Sequence, residues 1–327
     1  MKLLIVLHHR LDLWSAPDWF IERLQRDFPG LTAVQLRTYD HILDEIADAD
    51  IAMTWSLHGE QVAAAKKLRW IHSPAAAVHL LMSPELLSRD IIVTNGRAVH
   101  GPVVAEHAFA LVLAMAKLLP LAAQFQQQRH WGQEEISVHR PLPMELRDST
   151  ITIVGLGAIG TPLAELAKAA GMRIIAVREH PERGREVADV VYGFDQIDQA
   201  LPAADVVVLA APVTPKTERL MDARRLALLK PDAYLVNVGR GVLIDEPALI
   251  AALQQRKFAG AALDVTTEEP LPEDSPLWEM DNVFITPHTA GIARKMWERH
   301  YEVFCENLRR FLAGQPLLWT VDKQRGY

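Results

Sequence analysis

The chain has 327 residues, half of them hydrophobic, with 34 basic against 41 acidic side chains and a net charge of −7. That length exceeds one typical core and predicts two domains, while a mildly acidic balance without a basic stripe or acidic tail argues against nucleic acid and membrane surfaces and for a small soluble ligand. The single cysteine, Cys305, leaves no intrachain disulfide framework and no cysteine-rich metal site, which suits a reducing cytoplasm.

The opening MKLLIVL starts like a signal peptide, but His8, His9, Arg10 and Asp12 interrupt the apolar run, and no later segment is expected to have transmembrane length. The first hundred residues alternate strand candidates (3–7, 51–54, 70–72 and 91–94) with helix candidates near 17–28, 39–47, 59–66 and 84–88. This pattern predicts an open parallel α/β sheet, one that lacks a glycine fingerprint and so is expected to form the other wall of a cleft. Within it the turn His72-Ser73-Pro74-Ala75-Ala76-Ala77-Val78 offers small residues with accessible N–H groups, a nest suited to a carboxylate.

Residues 101–119 read as the longest apolar helix, with Gly101 and Pro102 at its start and Pro120 just past its end. Apolar nearly all round, it needs more than one partner to cover it, and a homodimer is the expectation. His130 and Trp131 follow in a polar segment, where Trp131 reads as a subunit anchor or a cleft wall.

The stretch 150–171, TITIVGLGAIGTPLAELAKAAG, reads as strand, tight turn and helix. Gly155 permits the sharp turn, Gly157 lets a pyrophosphate approach the backbone, and Gly160 lets the helix pack against the strand. The helix N-terminus then faces the phosphates of a dinucleotide. The next strand, 173–177, ends at Arg178, where a carboxylate would hold the ribose hydroxyls of NAD. A guanidinium pairs instead with a 2′-phosphate, and Arg183 and Arg185 add charge nearby, so NADP(H) is the preferred cofactor and NAD(H) the lesser one. Glu179 would restore an acidic ribose partner if the strand ended one residue later.

Near-continuous apolar strands at 205–210, 233–238, 260–265 and 283–286 follow, with helices near 223–229 and 246–255 between them. Ligands of such sheets lie beyond the carboxyl ends of the strands. Those ends carry Pro212 with Val213 and Thr214, then Gly239-Arg240-Gly241, then Asp264, then Pro287-His288. Arg240, between two glycines, suits a carboxylate bidentately. Glu269, in the loop 266–270, is the nearest acid able to orient the His288 ring and favour its protonated form.

The combination VGLGAIG at 154–160, LVNVGRGVLIDEPAL at 235–249, ALDVTTEEPLPEDSPLW at 262–278 and TPHTAG at 286–291 resembles the D-isomer-specific 2-hydroxyacid dehydrogenases. The resemblance runs over essentially the whole chain, including the VDKQRGY tail, and is strongest to the glyoxylate and hydroxypyruvate reductases. It implies a Rossmann dinucleotide-binding domain at 99–291 inserted into a flavodoxin-like substrate domain at 1–98 and 292–327, with the long helix as crossing element and part of a dimer interface. It further implies that Arg240 binds and polarises a small 2-keto acid, that His288 is the general acid and that Glu269 is its partner. Asp264 would help place the nicotinamide. The cofactor contacts it implies are Gly155, Gly157, Ala158, Ile159, Gly160, Arg178, Pro212, Thr217, Val238, Asp264 and His288, and the substrate contacts are Ala76, Ala77 and Arg240.

Three residues depart from the family pattern: Ala77 stands where glycine is usual, His79 where an aspartate is common, and Arg178, an arginine that some members share, where a carboxylate is usual. Ala77 still offers its N–H if its backbone angles suit an L-residue. Two alternative readings stay open: a non-catalytic NAD(P)-binding sensor on the same scaffold, and another enzyme class on a dinucleotide fold, such as a methyltransferase. The pairing of Glu269 with His288 argues against the second, whose cofactor needs no proton donor at the last strand end.

Overall fold

The computed structural model describes residues 1–9 and 11–324. Arg10 and the last three residues of VDKQRGY lie outside the described residues. The chain divides into two compact units, 1–100 with 293–327 and 101–292.

The sheet of the first unit has the strands β1 (Lys2–Val6), β2 (Thr32–Leu36), β3 (Ile51–Thr54), β4 (Trp70–Ser73) and β5 (Ile92–Asn95) in the order β2-β1-β3-β4-β5, all parallel. That is the flavodoxin-like order. Strand β2 is an edge strand that the sequence reading missed, because TAVQL mixes polar and apolar residues and no residue of it is fully buried. The apolar residues of the helix Met296–Leu312 recur at helical spacing, so that Trp297, Tyr301, Phe304, Cys305 and Leu308 share one buried face. Phe304 stacks on Trp70 with ring centroids 5.1 Å apart. At the other edge the chain end covers β5: Val321 N–H donates to the Val93 carbonyl at 2.8 Å, and Thr320 bridges Thr94 antiparallel.

The second unit holds seven parallel strands, β6 (Thr150–Val154), β7 (Arg173–Val177), β8 (Val190–Tyr192), β9 (Val206–Leu209), β10 (Tyr234–Asn237), β11 (Gly260–Leu263) and β12 (Val283–Ile285). Their order is β12-β11-β10-β9-β6-β7-β8. The central strands are buried along their whole length, as a sheet covered on both faces requires. Strand β8, three residues at the edge and only half-buried, has too little apolar run to be read from sequence. The order reverses between β6 and β9, which places the glycine turn after β6 and Pro212 after β9 on either side of the switch point.

The long helix corrects two expectations. It runs Arg97–Ala116, starting four residues before Gly101 with Pro102 inside it, and Pro120 opens a second helix, Leu119–Gln127, after Leu118 takes a left-handed φ of 53°. Residues 97–100 complete the first turn, so Pro102 marks the early helix rather than its first residue. By length and composition alone this helix is also apolar enough to cross a membrane, against the expectation that no segment was. Its inner residues Val104, Ala105, Ala108, Leu111, Val112 and Met115 are packed into the core of the second unit instead. Gly101 marks a close approach: a Cβ there would lie 2.3 Å from the carbonyl oxygen of Ala158 in the glycine turn.

Candidate active site

The cofactor-binding fingerprint begins where β6 ends. Gly155 takes φ +101°, and a Cβ on it would lie 2.6 Å from the Ala211 nitrogen, so both conformation and space require glycine. A Cβ on Gly160 would lie 2.0 Å from the Gly155 carbonyl oxygen, which is how closely the helix Gly160–Ala169 approaches the turn. Gly157 differs from both. A Cβ there meets nothing within 4 Å, and the N–H groups of Gly157, Ala158 and Ile159 have no acceptor among the described residues. An open glycine with three free donors at a helix N-terminus fits a bound pyrophosphate.

Arg178 follows β7 and donates its N–H to the Tyr192 carbonyl at 3.0 Å. Its Nε is buried and has no partner among the described residues, and Gly184, at φ +90°, brings the following loop to within a Cβ distance of 3.0 Å from Nη1. An unpaired guanidinium edge held by its own loop fits a phosphate better than a ribose hydroxyl. Glu179, the competing ribose partner, lies 3.7 Å from Lys216.

Beyond β9, Pro212 is exposed and Thr217 is buried. The Thr217 hydroxyl donates to the Pro212 carbonyl at 2.6 Å and accepts the Thr214 N–H at 2.8 Å, so it shapes this loop from within. Val238, at the end of β10, packs its side chain into the core and leaves only its backbone carbonyl to offer.

Arg240 leaves the same strand end in extended conformation, its carbonyl accepting from Asn237 Nδ2 at 2.9 Å and its Nη1 donating to the Gly239 carbonyl at 2.7 Å. Burial lowers its pKa, opposed by the charge of Glu269. Gly241 explains why those two charges meet: a Cβ on it would overlap Thr266, 1.9 Å from the carbonyl carbon, so only glycine lets the Arg240 turn touch the loop of Glu269.

His288 donates Nδ1–H to Glu269 Oε2 at 2.6 Å, and the other carboxylate oxygen accepts the Thr266 N–H at 3.1 Å. Burial raises the Glu269 pKa. The hydrogen bond from His288, that ring's charge, the Thr266 N–H and Arg240 outweigh it and hold the carboxyl below its ordinary value. With Nδ1 committed to Glu269, the ring presents Nε2, which no group among the described residues engages, as the atom that can give or take a proton.

Asp264 is buried more deeply than Glu269 and His288. Its side chain is only 1% exposed, its Oδ1 accepts the Thr286 hydroxyl at 2.6 Å and the Thr289 N–H at 3.0 Å, and its Oδ2 accepts the Ala290 N–H at 3.1 Å. Burial raises its pKa, and bonds from His107, Thr286, Thr289 and Ala290 bring it below the ordinary value. The carboxylate therefore ties down the turn of His288. Sequence reasoning missed Thr286, Thr289 and His107 as its partners; the one signal was a lone histidine within the apolar helix.

In the first unit, the Ala75 carbonyl accepts the Gly96 N–H at 3.0 Å and the Ala76 carbonyl accepts Asn95 Nδ2 at 2.7 Å. The N–H groups of Ala76 and Ala77 have no acceptor among the described residues, and neither residue takes a positive φ, so alanine fits where glycine is usual.

A seven-stranded Rossmann-type sheet with a pyrophosphate turn and an Arg, Glu and His cluster at its carboxyl edge defines a dinucleotide-dependent oxidoreductase scaffold. The family model described as D-isomer specific 2-hydroxyacid dehydrogenase, NAD binding domain, matches residues 109–290. A glyoxylate reductase of Pyrococcus furiosus is 33% identical over 290 residues, 87% of this chain and 86% of that one. Among solved structures, a D-isomer specific 2-hydroxyacid dehydrogenase family protein of Aeromonas salmonicida superposes with a TM-score of 0.83 at 33% identity, over 98% of this chain and 99% of that one. An NADPH-dependent glyoxylate/hydroxypyruvate reductase of Sinorhizobium meliloti gives 0.78 at 27%, over 99% and 98%. The chain belongs to the D-isomer specific 2-hydroxyacid dehydrogenase family, and with it to the NAD(P)-dependent oxidoreductases of 2-keto and 2-hydroxy acids.

Proposed function

We propose that this protein reduces small 2-keto acids of the glyoxylate and hydroxypyruvate kind to D-2-hydroxy acids, with NADP(H) preferred over NAD(H). The observation that carries the reading is the 2.6 Å bond from His288 to Glu269 beside Arg240, which leaves the ring's Nε2 free. The bound reduced nicotinamide supplies a hydride to C2 of the keto acid. As negative charge grows on the carbonyl oxygen, the Arg240 fork stabilises it, and the His288 Nε2–H is handed to it to complete the hydroxyl. Glu269 holds the imidazolium before transfer and keeps the ring oriented afterwards, until solvent returns the proton. General acid catalysis of this kind is typically worth ~10² to 10⁴-fold.

Ala76 and Ala77 serve as a carboxylate subsite through their free N–H groups, and Arg178 receives the 2′-phosphate through the guanidinium edge whose Nε lacks a partner. The protein works as a homodimer in the cytoplasm. Exposed Leu119, Trp131, Val138 and Leu142 all fall on one segment following the long helix and support a second copy as partner.

The test is absorbance at the reduced-nicotinamide band with NADPH and with NADH over a panel of 2-keto acids. Faster oxidation of NADPH, with the preference reversed or abolished in Arg178→Asp, is the expected result. Turnover favouring NADH would remove the role of Arg178, and cofactor binding without any turnover would move the reading to a nucleotide sensor.

A further inference from the structure

His288 sits at φ 52°, a left-handed conformation that costs a non-glycine residue about 1–3 kcal/mol and persists only where its surroundings over-determine it. Here they do. Its N–H donates to the Asp264 carbonyl at 2.8 Å, and the next two N–H groups, of Thr289 and Ala290, end on the Asp264 carboxylate. What aims that carboxylate comes from the long helix: His107 Nε2 lies 3.0 Å from the Thr286 hydroxyl and 3.4 Å from Asp264 Oδ1.

The hydrogen positions follow from chemistry. An ionised carboxylate only accepts, so the Thr286 hydroxyl, 2.6 Å from Asp264 Oδ1, commits its hydrogen there. The hydroxyl oxygen is then left to accept, and His107 Nε2–H is the donor. The relay has one direction, from His107 through Thr286 to Asp264, and it ends on the carboxylate that pins the turn on both sides of His288.

We propose that His107 is a positioning residue of the reaction centre, whose Nε2–H sets this relay and thereby holds the His288 ring against Glu269. It touches no reacting atom. The inference rests on the reading of His288 as proton donor.

The experiment compares His107→Leu, His107→Gln and Thr286→Val, none of which removes a group that contacts substrate. Because a misplacement of about 1 Å in a catalytic group can cost ~10²-fold, His107→Leu should lower kcat at least about tenfold while KM for the keto acid stays within about twofold. His107→Gln, whose carboxamide N–H can replace Nε2–H, should recover most of that loss. Mere filling of space would give glutamine no advantage, since leucine packs as well as glutamine in an apolar helix.

Amide hydrogen exchange at Thr289 and Ala290, read without substrate, should quicken in His107→Leu and Thr286→Val and return towards wild type in His107→Gln. Wild-type kcat and exchange in His107→Leu, or no recovery in His107→Gln, would overturn the proposal. Should His107→Leu not fold, Thr286→Val breaks the relay at its middle, and wild-type exchange in that variant overturns it equally. If the wild-type protein turns over no 2-keto acid, it is the functional reading that fails, and the exchange measurement still decides the relay.

Discussion

At the scale of single residues, the proposed chemistry rests on Arg240, Glu269 and His288, with Glu269 bonded to His288 and its charge acting on Arg240. Arg240 is partly desolvated, so its charge is felt strongly by whatever lies against it, and removing it should reduce both affinity and turnover for a 2-keto acid. His288→Ala should lose most turnover with keto-acid affinity less affected, and wild-type steady-state kinetics from either variant would refute the assignment. Glu269 makes the pH prediction. Its folded pKa is depressed, so the stability that its bond with His288 contributes is complete above the ordinary carboxylate value of about 4.3 and is lost as pH falls through the depressed one. In urea titrations across pH, the difference between wild type and Glu269→Gln should be level near neutrality and shrink at the acid end. A difference that grew on acidification would contradict the pairing.

Among the elements, the glycine turn is where a single methyl group decides most. Gly160→Ala places a Cβ 2.0 Å from the Gly155 carbonyl oxygen, where backbone rather than a flexible side chain must move. The expected cost is about 1–3 kcal/mol of stability, seen as a lower urea midpoint, with weakened NADPH binding because the helix N-terminus shifts with it. Gly157→Ala, into open space, should be stable without cofactor and defective only in binding it. A Gly157→Ala protein that bound NADPH as wild type would argue against the pyrophosphate contact. Strands β6, β7 and β9 to β11 were legible because burial on both faces demands unbroken apolar runs. Edge strands β2 and β8 were not, since they bury less and need no such run. The long helix shows the limit of local signals from the other side. Glycine and proline near a helix start usually mark its first residue, yet here a full turn precedes them.

For the whole molecule, the exposed apolar side chains after the long helix predict a mass in light scattering of about twice the 36.6 kDa of the chain. A monomeric mass would leave Trp131, 86% exposed, without a partner. What the sequence determined unaided is whatever local chain chemistry encodes: the strand and glycine turn at 150–160, the alternation of strand and helix, and the residue types standing at each strand end. These depend on neighbours a few positions apart. The tertiary structure alone decided which of those residues meet. Glu269 reaches His288 across 19 residues because Gly241 lets the loop of Glu269 lie against the Arg240 turn. His107 reaches Thr286 across 179 because the long helix packs into the same core as the sheet. Asp264 reads at a strand end as a ligand contact, and only the fold reveals that its buried carboxylate also anchors the turn of His288. Contacts between distant residues are set by strand order and packing, and these are properties of the assembled core that no short stretch of sequence contains.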